Sequence, residues 1–152
     1  MTSIRWSVPA GATAVAAILL SAGAPAIRFR DIAKDAGVRF VLRDSAAGEK
    51  RQIEPMAGGV AVFDYNNDGR PDIYFVNGAR QPALDKPDPS YYNRLYRNNG
   101  GGTFTDVTAE SRTRGEGFAT GVAAADYDND GRLDLFVVNY CPRPLRRAKS
   151  LS

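Results

Sequence analysis

Two stretches of the sequence are near copies of each other: AGGVAVFDYNNDGRPDIYFVNG at residues 57–78 and ATGVAAADYDNDGRLDLFVVNY at residues 119–140. They align without a gap, with Asp64 on Asp126. In each copy a small apolar run leads into an acidic turn, and a β-branched and aromatic run follows. Runs of this length, bounded by turn residues, indicate buried strands rather than helices. Each copy therefore predicts a strand, a loop and a second strand.

The strand runs, such as residues 73–76 and 135–138, are continuously apolar. Continuous apolarity, unlike alternation, predicts strands that are covered on both faces. Between the copies, the runs 94–97 and 103–108 flank a Gly-rich turn, which is a hairpin signal. A full repeat is therefore expected to be a four-stranded antiparallel sheet. Residues 29–33 echo residues 104–108, which predicts a further strand near the start of the chain.

The two acidic loops, residues 64–72 and 126–134, contain the candidate metal-binding residues. Oxygen-bearing side chains stand at loop positions 1, 3, 5 and 9, and glycine stands at position 6. In a tightly curled loop these side chains point to one centre, and the residue at position 7 can offer its backbone carbonyl. Hard oxygen donors select calcium over zinc or copper. The predicted ligands are Asp64, Asn66, Asp68, Arg70 and Asp72 in the first loop and Asp126, Asp128, Asp130, Arg132 and Asp134 in the second, with both arginines contributing their carbonyls.

Two alternatives compete with this interpretation of the loops. An EF-hand needs a glutamate at position 12, where this sequence has Phe75 and Val137, and it needs flanking helices instead of strands. A pair of metal-free Asx turns would use the carboxylates to cap backbone NH groups. Calcium is favoured because three carboxylates in one loop and four in the other repel each other unless a cation neutralises them. Since ligand charge is one determinant of calcium affinity, the second loop is expected to bind more tightly.

Repeated four-stranded sheets are typical of β-propellers, which close with about four or more blades. The predicted fold is mainly β: a partial β-propeller of about two antiparallel blades with calcium-binding hairpin loops. The repeat region is expected to span residues 27–140, with repeat units 57–78 and 119–140. Because two blades do not close a ring, we expect the chain to be a fragment, a truncated gene product or one piece of a larger assembly.

Residues 1–26 have the layout of a secretory signal peptide. Arg5 supplies a positive charge, residues 10–20 form an apolar run, and Ala24-Pro25-Ala26 offers a cleavage site before Ile27. The run is shorter than the roughly 20 apolar residues that span a membrane, so a retained anchor is the less favoured alternative. We expect a secreted or extracytoplasmic protein with no stable membrane span after cleavage.

The composition limits the remaining functions. The chain has 152 residues, of which 43% are hydrophobic and 24% charged, as in a single globular domain. It has no histidine and one cysteine, which excludes histidine-dependent triads, histidine zinc sites and an internal disulfide framework. The net charge of +3 arises from four basic residues after Cys141, since the rest has 16 basic and 17 acidic residues. We therefore expect a basic disordered tail at 141–152 and no nucleic-acid partner.

The loops and strands resemble the FG-GAP/VCBS repeats of integrin α-subunit propellers and of their bacterial relatives. The stretches 29–40, 56–65 and 95–100 are more specifically similar to the cartilage acidic protein-like (ASPIC/UnbV) group. The resemblance covers about residues 27–140 and implies an extracellular calcium-binding propeller of seven blades followed by an ASPIC domain. The sequence departs from that pattern at Asn66, which replaces an aspartate, and after Tyr140.

These observations predict a secreted calcium-binding module for protein interaction or adhesion, with a protein, matrix or cell-surface partner. We expect no catalysis, because no nucleophile stands with a base and the clustered carboxylates are assigned to calcium. The alternative is the accessory propeller portion of an extracellular enzyme, for instance one directed at polysaccharides. A tryptophan-rich groove would favour that alternative, but the one tryptophan is Trp6, within the predicted signal peptide.

Overall fold

The computed structural model describes residues 27–46 and 53–140. The chain divides into two units, residues 1–31 and 32–152. Within the first unit, residues 27–31 have no regular structure. The second unit holds six described strands, β1 to β6, and two short 3₁₀ helices at Glu54–Met56 and Pro89–Tyr91. The strands are β1 (Gly59–Phe63), β2 (Asp72–Val76), β3 (Arg94–Gly100), β4 (Thr103–Asp106), β5 (Phe118–Ala125) and β6 (Asp134–Tyr140). The predicted signal peptide and basic tail lie outside the described residues.

The strands form two antiparallel sheets, which confirms the mainly β prediction. The first sheet has the order β1-β2-β3-β4, and the second pairs β5 with β6. Gly59 lies opposite Val76 in the first sheet, and Phe118 lies opposite Tyr140 in the second. The predicted four-stranded repeat is thus present for the first copy. The turn between β3 and β4 is shorter than expected, because β3 continues to Gly100.

The hydrophobic core lies between the two sheets. We call the face of the first sheet that enters this core its front. It carries Ala61 and Phe63 from β1 and Tyr74 and Val76 from β2, all buried, with Leu95 of β3 in the same cluster. Side chains of the second sheet pack against this cluster: Val122, Ala124, Leu135 and Val137. Fully burying a valine or phenylalanine side chain contributes roughly 1.5–3 kcal/mol. The buried Phe63 and Val76 therefore make this contact a main source of stability.

The two sheets approach closely where β1 meets β5. A Cβ atom added at Gly59 would lie 3.1 Å from the Cα of Gly121 and 3.1 Å from a methyl carbon of Val76. That spacing is tighter than ordinary van der Waals contact, so glycine at position 59 permits the approach. Both copies of the repeat carry glycine at this position.

The prediction that both faces of each strand are covered is wrong for β1 and β6. Val60 and Val62 on β1 are 55% and 63% exposed, and Phe136 on β6 is 59% exposed. Within the described residues, each of these strands packs one face on the other sheet. Its alternate side chains point away from that sheet, since neighbouring side chains along a strand face opposite sides.

The predicted strand at residues 29–33 is also wrong, since none of these residues belongs to a strand and Phe29 is 95% exposed. The chain turns at residues 33–37, and the carbonyl of Ala36 accepts a hydrogen bond of 2.8 Å from the backbone NH of Phe104. The following segment lies along the other face of the first sheet, where Phe40 stacks on Phe75 with ring centroids 4.7 Å apart. Residues 29–33, which are similar in sequence to residues 104–108, therefore do not form a paired strand. They lead into a turn whose following residues pack on the first sheet.

Candidate metal sites

The first acidic loop, between β1 and β2, is held by its own carboxylates. The Asp64 side chain accepts hydrogen bonds from the backbone NH groups of Asp68 (3.1 Å) and Gly69 (2.6 Å). The Asp72 side chain accepts one from the NH of Tyr65 (3.0 Å). Gly69 adopts a left-handed φ of 80°, which glycine takes without a steric cost.

The second loop, between β5 and β6, repeats this arrangement. The Asp126 side chain accepts from the NH groups of Asp130 (3.1 Å) and Gly131 (2.9 Å). The Asp134 side chain accepts from the NH of Tyr127 (3.0 Å). The hydrogen bonds expected of Asx turns are thus present in both loops, and they curl the backbone so that alternate side chains converge.

Three carboxylates of the second loop meet at one place. One oxygen from each of Asp126, Asp128 and Asp130 lies within 4.8 Å of the others. Calcium binds oxygen at about 2.3–2.6 Å, so oxygens around one ion lie up to about 5 Å apart. The donor set and its spacing therefore fit a hard cation such as calcium. These are three of the predicted ligands, at loop positions 1, 3 and 5.

In the first loop, the carboxylate at position 5 is already paired with an arginine. The guanidinium of Arg70 pairs with the Asp68 carboxylate, and its Nε donates to the carbonyl of Asn98 at 3.0 Å. The Asn66 side-chain amide also donates to Asp68, at 3.0 Å. Loss of hydration raises the pKa of Asp68, but the bonds from Asn66 and Arg70 and the charge of Arg70 outweigh it and leave the pKa below its usual value. Among the described residues, no such ion pair joins Arg132 to Asp130.

The loops also differ at position 9. Asp72 is fully buried, and its second oxygen accepts a hydrogen bond of 2.7 Å from the NH of Asn98, at the end of β3. The Asn98 side chain in turn donates to the carbonyl of Pro71 at 3.0 Å. Asp72 therefore ties the first loop to the next strand. Asp134 is part-exposed, and among the described contacts its side chain makes one hydrogen bond, from the NH of Tyr127. The hydrogen bonds described for Arg70 and Arg132 are made by their backbone NH groups and by the Arg70 side chain. That their backbone carbonyls bind calcium stays a prediction.

Sequence reasoning missed a buried polar cluster centred on Asn77. Its side-chain amide donates to the carbonyls of Val41 (3.2 Å), Ser90 (3.1 Å) and Tyr92 (3.3 Å). Its side-chain oxygen accepts from the NH of Arg43 at 2.7 Å. Asn77 thus joins the segment before β1 to the segment before β3. The sequence signal that could have identified Asn77 is that both copies carry asparagine at this position, Asn77 and Asn139.

Lys86 completes this cluster from the loop between β2 and β3. Its ammonium group donates to the carbonyls of Asn77 (2.9 Å), Gly78 (2.8 Å) and Tyr91 (2.7 Å), and to the side-chain oxygen of Asn93 (3.1 Å). Burial lowers the pKa of Lys86 to about 8, so the ammonium form still predominates at pH 7. Lys86 acts here as an internal cation for backbone oxygens.

A pocket of about 320 Å³ lies beside Lys86. Two of its charged groups are already engaged, since Asp85 pairs with Arg80 at 2.7 Å and Lys86 bonds to four oxygens. The lining residues are Leu84, Asp85, Lys86, Arg114, Gly115, Glu116 and Gly117. None of them is a serine, cysteine or threonine that could act as a nucleophile.

Duplicated antiparallel hairpins with acidic, internally hydrogen-bonded loops define a β-repeat protein. Residues 64–137, from the first acidic loop into β6, match the FG-GAP-like repeat family. This span is just under half of the chain and supports an FG-GAP repeat protein, whose repeats fit a propeller-like fold. FG-GAP repeats are often calcium-binding and occur in extracellular proteins. No curated protein was found to match the chain. Within the part of the chain that the structure describes, no helix has the length and apolarity to cross a membrane.

Proposed function

We propose that this chain is a secreted, calcium-binding FG-GAP/VCBS module of the ASPIC/UnbV type that acts in protein interaction or adhesion. The observation that carries the proposal is the convergence of Asp126, Asp128 and Asp130 within 4.8 Å in a loop whose backbone is already curled. A preformed loop avoids part of the ordering cost of ion binding. Calcium would relieve the repulsion among the three carboxylates, so binding should also stabilise the fold.

The second loop should bind calcium more tightly than the first. It presents aspartate at position 3, where the first loop has the neutral Asn66. In the first loop an incoming ion must also displace the Arg70 guanidinium from Asp68 or share the Asp68 carboxylate with it. Apart from the buried Asp72, the predicted side-chain ligands are exposed or part-exposed, and affinities of roughly 10⁻⁴ to 10⁻³ M would suit extracellular calcium.

Calorimetric titration of the chain with calcium tests this proposal. The wild-type chain should bind two ions. Asp130→Ala should remove the tighter site and Asp68→Ala the weaker one, while Asp44→Ala, outside both loops, serves as the matched control. If neither loop variant changes calcium binding, the loops are plain Asx turns and the calcium proposal is wrong.

Export is proposed on the layout of residues 1–26. Mass spectrometry of the protein made in a secreting host should find a mature N-terminus near Ile27. Recovery of the chain with Met1 in the cytoplasm would contradict export without affecting the calcium proposal.

We propose a non-catalytic role because the charged side chains of the loops and of the pocket are already hydrogen-bonded or paired. The loop carboxylates accept backbone hydrogen bonds, and the pocket beside Lys86 holds two charged groups that are already paired. The calcium-loaded chain is therefore expected to leave a panel of chromogenic polysaccharides uncleaved. Turnover that scales with purified protein and is lost on substitution of a pocket residue would favour an enzyme instead.

A further inference from the structure

The sequence contains two Asn-Gly pairs, Asn77-Gly78 and Asn99-Gly100. In such a pair the backbone nitrogen of the glycine can attack the side-chain carbonyl carbon of the asparagine, because glycine has no side chain to hinder the approach. The two pairs have the same chemistry but lie in contrasting surroundings. The fold therefore decides which of them reacts.

The first pair, Asn77-Gly78, is protected by burial. The Asn77 side chain is 1% exposed. Its amide group donates to three carbonyls, those of Val41, Ser90 and Tyr92. Gly78 is also buried, and its NH donates to the Asn77 side-chain oxygen at 3.0 Å. Hydroxide from solvent does not reach this NH, so the pair reacts only after the structure opens around it.

The second pair, Asn99-Gly100, lies at the exposed turn between β3 and β4. The register of the two strands shifts between Asn98 and Gly100, so Asn99 bulges out of the ladder. Asn99 is exposed, and its side-chain nitrogen lies 3.4 Å from the Thr103 hydroxyl oxygen, longer than a usual hydrogen bond. The Gly100 NH donates to the Asn98 side-chain oxygen at 2.9 Å. Opening this one bond at the surface gives hydroxide access to the Gly100 nitrogen.

Three consecutive glycines, residues 100–102, give this turn the conformational freedom that ring closure needs. All three have a left-handed φ, of 80°, 61° and 79°. A Cβ atom added at Gly101 or Gly102 would meet nothing within 4 Å beyond its chain neighbours in the described structure. Packing therefore does not hold the backbone of the turn in place.

A hydroxyl on the neighbouring strand makes Asn99 more reactive. The Thr105 hydroxyl donates to the Asn99 side-chain oxygen at 3.1 Å. Attack on the carbonyl carbon of Asn99 places negative charge on this oxygen. A hydrogen-bond donor at that position stabilises the charge and lowers the barrier.

We propose that Asn99 is a site of spontaneous deamidation and that the Thr105 hydroxyl assists the reaction. The Gly100 nitrogen, after losing its proton to hydroxide, forms a bond to Cγ of Asn99. The bond from Cγ to the side-chain nitrogen breaks, and that nitrogen takes its protons from water and leaves as ammonia. Water then adds to one of the two carbonyls of the resulting succinimide ring and opens it to aspartate or isoaspartate.

The net reaction consumes one water and releases one ammonia, so it needs no oxidant or reductant. It gives the turn between β3 and β4 a negative charge that the encoded sequence lacks. The reaction does not depend on calcium, so its test is separate from the test of the calcium proposal.

Incubation of the full chain at pH 8, followed by proteolysis and mass spectrometry with fragmentation, tests the proposal. Asn99 should gain the mass that replacement of an amide NH₂ by OH brings. In the folded chain Asn77 should convert at least about tenfold more slowly, whereas in urea both pairs should convert. The Asp-Gly pairs of the acidic loops isomerise without a change of mass, so this measurement reports on the asparagines alone.

Variants of Thr105 test its assisting role. Thr105→Val should slow the conversion of Asn99 about 2- to 10-fold, the rate equivalent of one exposed hydrogen bond. Thr105→Ser, which keeps the hydroxyl, should restore the wild-type rate. Thr120→Val is the matched control, since the Thr120 hydroxyl donates to the carbonyl of Val138 on β6 and the rate should not change. A merely structural role predicts the opposite effect of Thr105→Val, because a loosened turn would convert faster.

Asn99→Gln assigns the mass increase, which should disappear from this position. Circular dichroism checks that each variant is folded. A folded wild-type chain in which Asn99 persists, equal rates at Asn77 and Asn99, or a Thr105→Val chain that is not slowed would each overturn the proposal.

Discussion

Tyr74 allows a quantitative test of the packing between the sheets. Its side chain is 2% exposed, and its hydroxyl donates to the carbonyl of Thr113 at 2.8 Å and accepts from the side-chain amide of Asn93 at 2.8 Å. Burial raises the pKa of Tyr74 from 10.0 to about 12, and the hydrogen bond from Asn93 offsets part of that rise. The folded state therefore holds the phenol proton more tightly than the unfolded state does.

The expected loss of stability follows from linkage. The stabilisation is fully present below pH 10, where both states are protonated, and it is lost as the pH rises from 10 to 12. A shift of two pKa units corresponds to about 2.7 kcal/mol in total, of which about 1.4 kcal/mol is lost by pH 11. Tyr74→Phe should remove this dependence. At neutral pH it should cost roughly 1–3 kcal/mol, because Asn93 and Thr113 lose their buried partner.

Urea denaturation at pH 7, 9, 10, 10.5 and 11 measures the free energy of unfolding of the wild type and of Tyr74→Phe. Tyr127→Phe is the matched control, since Tyr127 is 82% exposed and the substitution removes the same group outside the core. Lys86 and the other tyrosines titrate alike in the wild type and in Tyr74→Phe. Their contributions therefore cancel when the two free energies of unfolding are subtracted. A wild-type minus Tyr74→Phe difference that stays constant between pH 9 and 11 would refute the buried position of Tyr74.

Three further predictions concern the site and the polar cluster. Arg70→Gln should strengthen calcium binding at the first loop, because the cation paired with Asp68 is removed; Arg132→Gln should have a smaller effect, and calorimetry showing equal effects would contradict the asymmetry. Gly78→Ala should lower stability by about 1–3 kcal/mol or more, since its Cβ would lie 2.0 Å from the carbonyl oxygen of Arg43. Thermal melting tests this against Gly121→Ala, and equal melting temperatures would argue against the docking of the segment before β1. Lys86→Met should destabilise the fold by about 1–3 kcal/mol or more, because it leaves buried carbonyls without a donor; a denaturation midpoint at the wild-type value would show that water replaces the ammonium.

The sequence alone determined the parts of this protein that depend on neighbouring residues. The two copies predicted strand, loop and strand, and the strands lie there because apolar runs and turn residues act over a few positions. The loop positions of Asp126, Asp128 and Asp130 predicted converging oxygens, since a glycine and a curled backbone suffice to bring alternate side chains together. The antiparallel sheet of the first copy followed from the same local signals.

Tertiary structure alone decided which faces are covered and which polar groups meet. Continuous apolarity could not show that Val62 and Phe136 are exposed, because exposure depends on what packs against a sheet. The hydrogen bond between the Asn98 NH and the Asp72 carboxylate and the cluster around Asn77 join residues far apart in the chain. No local sequence pattern can therefore predict them. The pairing of Arg70 with Asp68 is local, yet it depends on a side-chain direction that the Nε bond to Asn98 fixes. These contacts arise only once the sheets are assembled, because the free energy of each depends on partners brought together by folding.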